Sequence, residues 1–246
     1  MINAVASTEA LPNRRSVFSK GTGAAHWCTD FIGRHSQYQS TDGPEAFLIE
    51  MSPAEAILPH FHEIDQFQIF VAGRGRMGRK TALPLAVHYA DSYTGYGPIV
   101  AGPQGFSMFT LHAVRDPGAV YRHKPGYQEK HKPGKKRQRL APAIVLSTAP
   151  VLQSLAGAVV EPLFDDEGLD DGLGAFIARL GAGQKWTGPD PARTGGQYYL
   201  VVNGVLELSG ASYPLWSAIF VSGDEPPVEL MAGAGGAEAL VLQFPR

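Results

Sequence analysis

Cysteine is almost missing from this chain of 246 residues: Cys28 stands alone. An intrachain disulfide is therefore excluded, and a reducing compartment is the natural setting. Net charge is missing as well. The 21 Lys and Arg face 23 Asp and Glu, a formal −2, so no global field favours nucleic acid or an acidic surface. No apolar run approaches the length needed to cross a bilayer. Met1 to Lys20 lacks the charged-then-apolar pattern of a secretion leader. These absences predict a soluble, cytoplasmic protein without nucleic-acid or membrane partners. Nucleophile elbows and phosphate-binding glycine loops are also lacking. Gly73-Arg74-Gly75-Arg76-Met77-Gly78 contains a Gly-x-Gly-x-x-Gly string, but no helix pattern follows it, so it is no dinucleotide fingerprint.

What the chain has is apolar content of 44%, enough for a core, cut into short segments by 29 Gly and 19 Pro. Many short runs between turn residues predict an all-β chain. The central run is Pro59-His60-Phe61-His62-Glu63-Ile64-Asp65-Gln66-Phe67-Gln68-Ile69-Phe70-Val71-Ala72-Gly73. Gln66 to Phe70 alternates polar with apolar residues, as a half-buried strand does, and Gly73-Arg74-Gly75 offers a turn. Strand alternation would aim His60, His62, Gln66 and Gln68 one way. Two imidazoles on one strand face can share a metal ion, and the Gln66 carbonyl could add an oxygen. The plainer alternative places both histidines at a surface turn, binding nothing. His26 and His35 fall outside any usable spacing and read as surface or core histidines.

The second half repeats the first. Gln197-Tyr198-Tyr199-Leu200-Val201-Val202-Asn203-Gly204 carries the same Gln, six residues, Gly pattern as Gln66 to Gly73, 131 positions later (197 against 66). The same offset aligns Ala101-Gly102-Pro103-Gln104-Gly105 with Ala232-Gly233-Ala234-Gly235-Gly236. Two copies of one β unit are the economical reading. Pro191 and Arg193 then stand opposite His60 and His62, and Gln243 opposite His112. The later copy has lost its imidazoles and reads as structural or as part of a dimer interface.

His-x-His, three residues, a polar ligand position, six residues and Gly resembles the first signature of the cupin superfamily. The resemblance implies two tandem antiparallel jelly-roll barrels, a bicupin, with a degenerate C-terminal copy. The expected layout is an N-terminal arm over 1–24, a metal-bearing barrel over 25–120, a basic Pro/Gly linker over 121–140, and the second barrel over 141–246. The family's second signature ends on a metal-closing His. Here Tyr93-Thr94-Gly95-Tyr96-Gly97-Pro98 has none, and Tyr96 takes its place. The implied ligands are His60, His62 and Gln66, with Tyr96 as fourth ligand or acid/base. His112 is the rival for the fourth position.

The implied cofactor is a divalent transition metal: iron first, then zinc, manganese or nickel. With neutral donors the ion would act as a Lewis acid or, if iron, activate dioxygen. Three functions follow. The first is a metal-dependent enzyme, dioxygenase-like, acting on a small oxygenated organic molecule. The second is a cupin that binds a small ligand without chemistry. The third is a metal-free isomerase or lyase using His and Tyr as base and acid. A homodimer is a further expectation, resting on fold analogy.

Overall fold

The structure is a computed structural model and describes residues 1–18, 25–34, 42–165 and 170–246. His35 and the end of the expected arm, 19–24, lie outside the described residues. Strands account for 51% of the chain and helices for 8%, with every sheet pairing antiparallel, so the all-β expectation holds.

Two compact units form. One is Asn13–Ile144; the other combines Val145–Arg246 with Met1–Pro12. In the first, the sheet runs Gln138–Ala141, Val87–Ala90, Gln66–Met77, Ile99–His112, Glu45–Met51, Ala25–Ile32, Arg15–Phe18. In the second it runs Ile2–Val5, Ala218–Val221, Gln197–Leu208, Glu229–Gln243, Gly174–Leu180, Ala158–Pro162. The two orders match strand for strand over six positions.

The match extends to register. Gln66 pairs with Ala90 in one unit and Gln197 with Val221 in the other, each shifted by 131. Phe67 pairs with Leu111, and Tyr198 with Leu242. Both central pairs carry an irregularity at the same glycines. Gly73 (φ +73°) and Gly204 (φ +68°) adopt left-handed backbone conformations. A Cβ on Gly73 would run into the Gly105 carbonyl oxygen, and one on Gly204 into that of Gly236. Only glycine meets both demands at once.

The division of the chain differs from the sequence expectation in two places. The expected arm is split. Ile2–Val5 adds an edge strand to Ala218–Val221 of the later unit, and Arg15–Phe18 adds one to Ala25–Ile32 of the earlier. A four-residue strand gains its ladder bonds wherever an edge is open, and composition does not show which edge that is. The basic segment over 121–140 is built in rather than left as a solvated connection. Gln138–Ala141 pairs with Val87–Ala90, and Arg137 grips Asp91 at 3.0 Å. Its Pro-Gly pairs resemble a linker, but Leu140 and Ala141 pack inward and the Arg137 charge is met by a buried carboxylate.

Candidate metal centre

The strand Gln66–Met77 is buried on both faces along Gln66–Phe70, not half-buried. Its apolar face packs outward, Phe67 against Tyr89 with ring centroids 4.9 Å apart. Its polar face looks into a closed cluster of polar side chains. Gln66 and Gln68 are 1% and 2% exposed, so each amide must find partners inside the protein.

Around Gln66 the partners form a chain. The Gln66 amide N–H donates to the Tyr96 hydroxyl, and its carbonyl Oε1 lies 3.3 Å from His112 Nε2. The Tyr96 hydroxyl in turn sits 2.9 Å from His60 Nε2. His60 Nδ1 is 2.7 Å from the Leu58 carbonyl, which can only accept, so Nδ1 carries the proton and Nε2 accepts from Tyr96. Burial, with the neighbouring His62 charge, depresses the His60 imidazole to about 3, so the ring is neutral. Burial pushes the Tyr96 phenol well above its ordinary value, although the Gln66 bond works against it. Tyr96 is thus a protonated phenol.

His60 and His62 therefore part company. Their rings remain 5.2 Å apart between centroids, but His62 turns to Asp116, with Nδ1 2.7 Å from Oδ2. The ligand atoms of His62, His112 and Asp116 all lie within 4.8 Å of one another. Burial would raise the Asp116 carboxyl. The His62 and His112 charges, with hydrogen bonds from His62 and the Gly118 N–H, outweigh it and hold the group well below the usual carboxylate range. The carboxylate is ionised, the form in which such a group binds metal. His112 Nδ1 lies 3.4 Å from Glu45 Oε2 and its Nε2 3.3 Å from Gln66 Oε1. The His62 Nε2 has no hydrogen-bond partner among the described residues. Two imidazoles and one carboxylate, convergent and buried except for the partly exposed His62, fit a divalent transition metal.

Of the residues anticipated from sequence, His62 joins this group, while His60, Gln66 and Tyr96 form the hydrogen-bonded chain beside it. His112, the rival to Tyr96, stands with His62. Asp116 was missed. Its spacing, four residues beyond His112, carries no strand-period signal, because a turn after the strand Ile99–His112 brings it back. His88 was missed too. It is fully buried, its Nδ1 3.0 Å from Gln68 Oε1 and its Nε2 2.9 Å from the Gln138 amide. Burial, the Lys80 charge and that of His60 depress it to about 3.

The later unit keeps the frame of this cluster without its donors. Gln243, opposite His112, donates its amide N–H to Gln197 Oε1 at 2.9 Å, as His112 meets Gln66. Arg193, opposite His62, ends a short 3-10 turn over Pro191–Arg193.

No protein-family model and no curated protein matches the chain. Solved structures do. A bacterial pirin from Escherichia coli in complex with nickel(II) aligns over 100% of this chain and 99% of its own, at 10% identity and a TM-score of 0.60. Oxalate decarboxylase from Lactobacillus farciminis aligns over 96% and 86%, at 12% identity and 0.60. Quercetin 2,3-dioxygenase from Acinetobacter baumannii aligns over 100% and 79%, at 13% identity and 0.52. The fold is the cupin jelly roll. At such identities the likeness speaks for the fold and leaves the chemistry to the site.

Proposed function

We propose that the Asn13–Ile144 unit is the metal centre of an enzyme acting on a small oxygenated organic molecule, in the manner of a dioxygenase, with iron as the preferred ion. The observation that carries this reading is the convergence of His62, His112 and Asp116 within 4.8 Å. Two histidines and a carboxylate with open positions are the donor set associated with non-haem iron oxygenases. The nickel(II) pirin and the quercetin dioxygenase among the similar structures lend support. When bound, the ion supplies a Lewis acid and, as iron, a partner for dioxygen.

The chain's own residues do the rest. Asp116 and His62 brace each other, so the imidazole is oriented before any ligand arrives. Tyr96 keeps its proton on a neutral oxygen set between His60 Nε2 and the Gln66 amide, and the Gln66 carbonyl faces His112. His60 is too weak a base to draw the proton off, so the hydroxyl stays neutral and its hydrogen bond is held by His60 Nε2 until a stronger acceptor displaces it. The repeated register supports reading the whole as a bicupin whose later copy has lost its metal site.

A second reading, a metal-free isomerase or lyase, draws on the 2.9 Å Tyr96–His60 bond, an acid and base already in contact. Elemental analysis separates the two. We expect one transition metal per chain in the purified protein, retained in His60→Ala and lost in His62→Ala/Asp116→Ala, with circular dichroism verifying the fold of each. A wild type that stays metal-free after incubation with iron, zinc, manganese and nickel would overturn the metal reading.

A further inference from the structure

The Gly-x-Gly-x-x-Gly string that binds no dinucleotide has another property. The hairpin joining Gln66–Met77 to Lys80–Ala82 carries Arg74, Arg76, Arg79 and Lys80 within seven positions. All four are exposed, and none pairs with an acidic group among the described residues. In a chain of formal charge −2, this is a local reversal of sign.

Arg79 and Lys80 stand at a cavity of about 260 Å³, whose other walls include His88, Tyr96, Gln138 and Leu140. None of its lining residues is acidic. The floor cannot supply a counter-charge either. His88 is held by Gln68 and Gln138, and the Tyr96 hydroxyl by Gln66 and His60. The field of the two cations therefore reaches into the cavity uncompensated, between low-dielectric walls that focus it. Met77, Leu140 and the Tyr96 ring offer apolar surface beside that charge. A polyanion does not fit so small a space, whereas one compact acid with an apolar body does.

We infer that this cavity binds a small organic carboxylate, its charge between Arg79 and Lys80 and its body against Met77, Tyr96 and Leu140. The guanidinium of Arg79 can take both carboxylate oxygens, and the Lys80 ammonium adds a point charge. Tyr96 belongs both to the cavity wall and to the chain running through Gln66 to His112, so a ligand here touches a residue linked by hydrogen bonds to the proposed centre. That this carboxylate is the substrate rests on the function proposed above. Binding itself does not.

Titration calorimetry on the full chain, metal-stripped by chelator, tests the binding with benzoate, benzylamine and inorganic phosphate as probes. We expect benzoate to bind, to weaken at least tenfold in Arg79→Gln/Lys80→Gln, and to weaken with added salt. Benzylamine should not bind, and phosphate should bind less well than benzoate for want of apolar contact. Arg74→Gln/Arg76→Gln, off the cavity, should change the affinity much less. No benzoate binding, equal binding in Arg79→Gln/Lys80→Gln, or equal binding of benzylamine overturns the inference. Phosphate binding as well as benzoate overturns the apolar half of the site. Retention of benzoate binding in a protein that never takes up metal would refute the metal centre and leave the cavity standing.

Discussion

The two units share strand order, register and paired glycine irregularities, yet they differ in the buried polar groups set around their central strands. In the earlier unit Asp116 converges on two imidazoles, with a hydrogen-bonded chain of Gln66, Tyr96 and His60 alongside. In the later unit the buried carboxylate is Glu238, and it is consumed by structure. It accepts from the Arg179 guanidinium, the Asn203 amide and both the N–H and hydroxyl of Ser147. All eight histidines lie between positions 26 and 131, so the later unit has none. The same frame thus closes around a carboxylate ringed by donors in one copy and around a cluster of two imidazoles and a carboxylate in the other.

The largest effect that would sharpen this contrast is on metal. His62→Ala/Asp116→Ala should lower metal affinity by about 100-fold or more, beyond the range for removing an orienting partner alone. Arg193→Ala/Gln243→Ala, at the positions of the later unit that stand opposite His62 and His112, should leave metal content unchanged. Equal metal loss in both double variants, read by elemental analysis, would break the comparison.

Next come the glycines, where the units should behave alike. Gly73→Ala and Gly204→Ala each place a Cβ against a carbonyl oxygen from left-handed backbone. Each should cost about 2 kcal/mol, measured by denaturant unfolding. A large cost in one and none in the other would show that the shared register does not mean shared strain.

Acid should separate the units again. His88 is depressed to about 3 in the fold, against an ordinary value of 6.5. Between those values the unfolded chain holds the proton and the folded one does not, so stability falls as pH drops through this window. The slope is about 1.4 kcal/mol per pH unit for one such group. Hydrogen exchange should show the earlier unit loosening from about pH 6 downward while the later unit holds, and His88→Gln should reduce the slope without abolishing it, because His60 is depressed to about 3 as well. A later unit that loosens in step would contradict this.

The smallest contrast concerns hydroxyls. Tyr96→Phe leaves the Gln66 amide and His60 Nε2 without their shared partner and should cost about 1.5 kcal/mol. Tyr199→Phe should cost only about 0.5 kcal/mol, because the Gln197 amide N–H that reaches Tyr199 at 2.9 Å also reaches the Pro189 carbonyl at 3.0 Å. Thermal melts of both variants decide whether the order holds.

Local pattern alone was enough for the strand class, the repeat and one corner of the site. Alternation from Gln66 to Phe70 and the glycines at 73 and 204 are dictated by neighbours a few positions away, so they are written in the sequence. So is the polar character of Gln66, whose amide had to be met once its strand was buried. Which groups meet it was decided only by folding. Asp116 reaches His62 across 54 positions, and His112 reaches Gln66 across 46, through turns whose direction no spacing reveals. The same holds for the edges: Ile2–Val5 completes a sheet whose partner strand lies over two hundred residues away, and Gln138–Ala141 leaves an apparent linker to pair with Val87–Ala90. Periodicity fixes which face a side chain takes within its own strand; convergence of charges from separate strands depends on how those strands close on one another, and only the tertiary structure sets that.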